Sequence, residues 1–178
     1  MSDKLPAEIK NKIYTQDYSP KTPLEGVEIK EIKNFPGEDG DFSEILRLKN
    51  GRTELFPDFE LVQINRALVF PKSVKAWHLH FLQDEIWYVT PQDHLLVGLW
   101  DLREKSATQN KTMRVILGGT SSRLLFIPRG VAHGCVNLSR KATQIYYFVS
   151  NNFNPASPDE KRIPWDSLGA DFWQAQRD

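Results

Sequence analysis

Covalent staples and ready-made reactive motifs are scarce in this chain. Among 178 residues there is one cysteine, Cys135, so no internal disulfide and no Cys-x-x-Cys motif can form. Cysteine is a residue type found mostly in interiors, and Cys135 is expected in the core rather than as ligand or nucleophile. Neither sign of charge is in excess, since lysine plus arginine and aspartate plus glutamate each number 23. No global field therefore draws the chain to nucleic acid or to an anionic membrane surface. No apolar run reaches membrane-spanning length, and the opening Met1-Ser2-Asp3-Lys4-Leu5-Pro6 lacks the apolar stretch of a secretory leader. A cytoplasmic protein is the simplest fit. Glycine-rich phosphate loops and a Gly-x-Ser-x-Gly elbow are also absent.

Histidine is scarce too, which makes its placement informative. Three of the four histidines fall in two segments, Trp77-His78-Leu79-His80-Phe81-Leu82-Gln83-Asp84-Glu85 and Pro128-Arg129-Gly130-Val131-Ala132-His133-Gly134-Cys135-Val136-Asn137. Side chains two apart on a strand share a face, so His78 and His80 converge, and a turn over 81–84 brings Glu85 back above them. His133 follows a Pro/Gly turn and offers a third imidazole. Neutral imidazoles with a carboxylate suit zinc, manganese, iron, nickel or copper. The competing interpretation is a pair of hydrogen-bonded core histidines beside a solvated glutamate. His94, in a turn beside Asp93, is expected at the surface.

The rest of the chain reads as short strands separated by turn signals. A helix-compatible piece runs from Ala7 to Ile13, followed by an extended arm around Tyr18 to Pro23. Strands are expected over Val27–Ile32, Phe42–Leu48, Phe59–Phe70, Ile86–Val89, Leu95–Leu102, Met113–Leu117, Arg123–Ile127, Cys135–Leu138 and Thr143–Val149. Asn50-Gly51 is a strong hairpin signal. Only the tail near Asp166 to Ala175 reads as helical. At this length one core is expected, and regular short strands point to a sandwich or barrel. The five tryptophans (Trp77, Trp87, Trp100, Trp165, Trp173) are expected mainly in core or dimer packing.

The two histidine segments read His-x-His-x4-Glu and Pro-x-Gly-x2-His-x3-Asn, and together they resemble the paired motifs of the metal-binding cupins. The first departs from that pattern at Gln92, where a glycine belongs. Over residues 27–173 the chain further resembles the dTDP-4-dehydrorhamnose 3,5-epimerase family. The phrases that carry the likeness occur in family order. They are Glu38-Asp39-Gly40-Asp41-Phe42-Ser43-Glu44, Gln63 with Asn65, and Lys75-Ala76-Trp77-His78. After them come Asp101-Leu102-Arg103 with Ser106 and Thr108, then Ile127-Pro128-Arg129-Gly130-Val131-Ala132-His133-Gly134, and Ile163-Pro164-Trp165-Asp166. The likeness implies an all-β fold, the cupin double-stranded β-helix or jelly roll. It would have an N-terminal arm (residues 1–24), a single cupin domain (residues 25–178) and a short C-terminal helix.

The resemblance also implies proton chemistry beside a ketone. His78 stands where the family has its base, and a late-strand tyrosine returns a proton from the opposite face. Tyr146 and Tyr147 both compete for that role, and only one of two adjacent strand residues can face a cavity. Gln63, Asn65, Arg66 and Lys75 are the substrate-binding candidates, with Lys72 a further cation near them. Two replacements stand out. The family's enolate-stabilising lysine is Glu85 here, and the glutamine after the base is His80. A divalent metal (zinc, manganese, iron or nickel) on His78, His80, Glu85 and His133 would restore the lost positive charge as a Lewis acid. His78 as a ligand could not then be the base. The aspartate that pairs with the family's base has no counterpart before Asp178. The expected activity is an isomerase or epimerase of a keto sugar, with a sugar or sugar nucleotide as small-molecule partner, in a homodimer. A cupin oxygenase and a non-catalytic ligand-binding cupin are the alternatives.

Overall fold

The structure, a computed structural model, describes residues 5–16 and 23–176. The arm expected around Tyr18 to Pro23 lies almost wholly outside those residues. The helix α1 covers Ala7–Lys10, shorter than the segment expected to Ile13. The strands then follow as β1 (Glu28–Glu31), β2 (Asn34–Gly37), β3 (Gly40–Ser43), β4 (Leu48–Lys49) and β5 (Arg52–Thr53). Next come β6 (Phe56–Glu60), β7 (Gln63–Val69), β8 (Val74–Leu79), β9 (Glu85–Tyr88) and β10 (His94–Asp101). The last are β11 (Thr112–Gly118), β12 (Arg123–Ile127), β13 (Val131–Val136), β14 (Thr143–Val149) and β15 (Lys161–Arg162). The helical tail is confined to a 3₁₀ turn at Ala170–Trp173. No helix among the described residues is long and apolar enough to cross a membrane.

Two five-stranded antiparallel sheets face each other, in the orders β1-β12-β9-β14-β7 and β11-β10-β13-β8-β15. This is the all-β jelly roll expected from the sequence. Between the sheets lies a core of Val69, Trp87, Val89, Leu95, Val97, Leu99, Leu125, Ile127, Cys135 and Ile145, among others. The outer faces are covered as well. Phe56 and Phe59 pack behind β9 and β12, and Trp77, Trp173 and their neighbours pack behind β8, β10 and β13. Strands covered on both faces do not alternate in polarity, and β9 and β13 are buried along their whole length. Four tryptophans sit in these clusters as expected, whereas Trp165 is 45% exposed.

Local chemistry explains where the strands break. The strand expected over Phe42–Leu48 ends at Ser43 and resumes at Leu48. Asn50 and Gly51 both take positive φ, 53° and 76°, which is the backbone a two-residue hairpin demands. The strand expected from Cys135 to Leu138 instead runs Val131–Val136, so His133 lies within it. The Asp101-Leu102-Arg103 phrase, with Ser106 and Thr108, folds on itself. The fully buried Asp101 carboxylate accepts bonds from Arg103 Nε (2.9 Å), Ser106 Oγ (2.6 Å) and Thr108 Oγ1 (2.7 Å). Thr108 Oγ1 in turn accepts from the Glu25 amide at 2.9 Å, tying the start of the domain to this corner.

Burial pushes the Asp101 carboxyl up, but the Arg103, Ser106 and Thr108 donors outweigh it and hold the group well below the usual carboxylate range. A depressed folded pKa contributes stability that is complete above the unfolded value, about 3.9, and lost as pH falls through the folded one. Asp101→Asn is therefore expected to be less stable than wild type by roughly 2 kcal/mol or more at pH 7. The gap should narrow steadily as pH falls below about 5 in urea melts. A gap that does not change with pH would contradict the assignment.

Candidate active site

The inward rows of the barrel change character toward one end. Along β9 the inward row runs Val89, Trp87, Glu85, and along β7 it runs Val69, Ala67, Asn65, Gln63. Apolar packing thus gives way to polar groups around a cavity of about 620 Å³. Volumes of this order suit small-molecule ligands. Gln63, Asn65, Lys75, His78, His80, Glu85, His133 and Tyr147 all line it.

A bulge places the histidines on this wall. His78 pairs with His133 and Lys75 with Cys135, so β8 carries one residue more than β13 between the two pairs. Lys75 and His78 both face the cavity as a result, while Trp77 between them packs behind the sheet. The bulge needs Gly134. A Cβ there would lie 2.8 Å from both the Ala76 Cα and the Lys75 carbonyl oxygen. After β8 the chain is clamped from two sides. The Asp159 carboxylate accepts the backbone N–H groups of Phe81, Leu82 and Gln83 at 3.0, 2.7 and 3.1 Å. Arg129 grips Asp84 through Nε at 3.1 Å and Nη2 at 2.7 Å. These clamps carry Glu85 into the barrel instead of out to solvent.

His80, Glu85 and His133 are all buried, and one potential ligand atom from each lies within 4.8 Å of the others. His80 Nε2 is 3.2 Å from Glu85 Oε1, and His133 Nε2 is 3.5 Å from Glu85 Oε2. The opposite ring nitrogens face backbone carbonyls, His80 Nδ1 at 2.5 Å from Asp159 and His133 Nδ1 at 2.9 Å from Val131. A carbonyl only accepts, so each Nδ1 carries its proton and each Nε2 is turned toward the carboxylate. Three basic atoms converging in a buried place call for a cation, either an added proton or a metal ion. Gln83 Nε2 donates to Glu85 Oε1 at 2.6 Å, and Trp87 Nε1 donates to Oε2. Burial pushes the Glu85 carboxyl up, yet the charges of His133 and His80 and these donors bring it down to about 2. At His80 burial works the other way, but the Glu85 bond and charge win and raise it.

His78, expected as a fourth ligand, stands apart from this trio. Its ring stacks on His133 with centroids 6.0 Å apart, and both its nitrogens are engaged elsewhere, Nδ1 near Glu160 (3.2 Å) and Nε2 with Arg162 (2.8 Å). Burial, then the neighbouring His133 and Arg162, lower it to about 3, so it is a neutral imidazole near pH 7. Tyr147 faces the cavity opposite Asn65, whereas Tyr146 pairs with Arg66 and packs against the outer cluster of Ile86, Tyr88 and Phe148. Strand alternation therefore removes Tyr146 and Arg66 from the site. Burial raises the Tyr147 phenol far above its ordinary value, which keeps it protonated. Gln63 also holds the roof, accepting the Phe153 amide at 3.1 Å.

Arg162, Glu160, Asp159 and the asparagines of the 151–154 loop complete the lining. Sequence reasoning missed them. The one available signal was their position just before the Ile163-Pro164-Trp165 phrase. Cys135 is buried in the core as expected, which pushes its thiol up to about 12. Asn137 is a brace, donating to the Val69 and Lys141 carbonyls at 2.9 and 2.8 Å.

The sequence profile of the dTDP-4-dehydrorhamnose 3,5-epimerase family matches residues 21–177. The spore coat polysaccharide biosynthesis protein SpsL of Bacillus subtilis (strain 168) is 38% identical over 154 residues, covering 86% of this chain and 98% of SpsL. The crystal structure of a dTDP sugar isomerase from Desulfovibrio desulfuricans G20 superposes with a TM-score of 0.72 at 28% identity, over 84% of this chain and 91% of that one. The epimerase RmlC from Legionella pneumophila Philadelphia 1, solved in complex with dTDP-4-keto-L-rhamnose, gives 0.72 at 27% identity, over 85% and 80%.

Trp87→Phe leaves the buried Glu85 carboxylate one donor short while keeping the aromatic packing. It is expected to lose about 1–3 kcal/mol in urea denaturation at neutral pH. Unchanged stability would show that the indole bond is not needed.

Proposed function

The chain belongs to the dTDP-4-dehydrorhamnose 3,5-epimerase family, and from that premise we propose how its own residues carry out the family's chemistry. It is a carbohydrate epimerase acting on a keto sugar by proton transfer at carbon next to the carbonyl. The substrate is a sugar nucleotide, as in the dTDP-sugar complex of the Legionella relative. One observation carries the residue assignment. His78 comes from β8 in one sheet and Tyr147 from β14 in the facing sheet, and both line the same cavity. A proton can leave one face of a planar enolate and return to the other only if base and acid stand on opposite walls. The neutral His78 imidazole accepts the proton, and the protonated Tyr147 phenol returns one. Lys75 and Arg162 are the cavity-lining cations suited to the anionic nucleotide.

His80, Glu85 and His133 fit a divalent cation, because their two Nε2 lone pairs and one carboxylate converge with tautomers set by carbonyl partners. Zinc, manganese, iron or nickel suits such donors. When bound, the ion supplies a Lewis acid for a substrate oxygen. His78 stays outside that ligand set and remains available as base. The homodimer finds support at β7, whose second edge is unpaired among the described residues. Next to it Ile64 is 58% and Phe70 63% exposed.

Tyr147→Phe is expected to lower kcat for solvent-deuterium wash-in to dTDP-4-keto-L-rhamnose by about 10²-fold or more. Tyr146→Phe should stay within about twofold of wild type, because its hydroxyl points away from the chemistry. Equal losses in both would refute the assignment. Calorimetric titration with zinc or manganese should show binding that disappears in His80→Ala and in Glu85→Ala. Metal uptake unaltered in both would mean that the ion sits elsewhere, and iron with oxygen consumption would favour the oxygenase alternative.

A further inference from the structure

The strand β15 pairs with the end of β8, setting Arg162 opposite His78 and Lys161 opposite Leu79. The pairing brings two charged side chains of one short segment onto the two nitrogens of a single imidazole. Glu160 Oε1 lies 3.2 Å from His78 Nδ1, and Arg162 Nη1 lies 2.8 Å from His78 Nε2. Glu160 and Arg162 also pair with each other. A guanidinium can only donate, so the lone pair of the neutral ring is on Nε2. The ring proton is then on Nδ1, which faces the Glu160 carboxylate at 3.2 Å. A carboxylate on Nδ1–H fixes the tautomer and orientation of a histidine base and stabilises the imidazolium it becomes.

We propose that Glu160, the residue just before β15, is the positioning residue for the His78 base. The inference rests on the keto-sugar reading above. In the step, a C–H bond next to the ketone breaks and its proton passes to Nε2. The electron pair moves onto the carbonyl oxygen as an enolate, and Nδ1–H stays on the ring, facing Glu160. A protonated Nε2 no longer accepts from Arg162. The guanidinium is then released to pair with negative charge in the same cavity, on the enolate oxygen or on a phosphate.

The test compares full-length wild type, Glu160→Ala and Glu160→Asp in solvent-deuterium wash-in to dTDP-4-keto-L-rhamnose, with kcat and KM resolved. The Glu160 side chain is 37% exposed, so its truncation leaves the core packing in place. Glu160→Ala is expected to lose about 10²-fold in kcat with KM within about threefold, and Glu160→Asp to recover at least about tenfold of that loss. Wild-type kcat in Glu160→Ala, a loss confined to KM, or no recovery in Glu160→Asp would each overturn the positioning role. A wild-type enzyme that exchanges no deuterium into any 4-keto sugar nucleotide would instead remove the reading on which it rests.

Discussion

A carboxylate shut inside a β-barrel must be compensated, and much of the mouth of this barrel is built around that need. Glu85 ends the inward row of β9, directly beyond Trp87 and Val89. It is answered by two imidazoles, an indole N–H and a side-chain amide. Each of those groups is held in turn. Backbone carbonyls fix the imidazole tautomers, and Asp159 and Arg129 pin the loop that delivers the glutamate. Removing any single element leaves an unpaired polar group in low dielectric, where it is most costly.

A second constraint separates two tasks that the sequence places on one residue. Simple alternation puts His78 and His80 on the same face and invites both into one ligand set. The segment at β15 gives His78 surroundings of its own. Two imidazoles and a carboxylate form one group, and a third imidazole with a carboxylate and a guanidinium forms another. Stacking against His133 joins the two. The two groups therefore share no nitrogen.

The strands and the two histidine segments were legible because their signals are local. Alternation, Asn50-Gly51 and the Pro/Gly turn before His133 act within a few residues. The choice between Tyr146 and Tyr147 was not legible, since facing depends on the register of β14 against β7 and β9. Arg66 was misplaced for the same reason. His78 stands outside the cluster of His80, Glu85 and His133 because its two nitrogens meet Glu160 and Arg162, which lie far along the chain. Glu160 and Arg162 were missed because their role comes from pairing across some eighty positions of chain, through a strand only two residues long.

That brevity has an evolutionary side. A two-residue edge strand contributes little to the barrel's stability, and local opening of such pieces typically costs far less than global unfolding. The side chains that address the base thus sit where exchange is cheapest for the fold. Side chains at positions 160 and 162 can therefore change while the sheets behind them stay untouched.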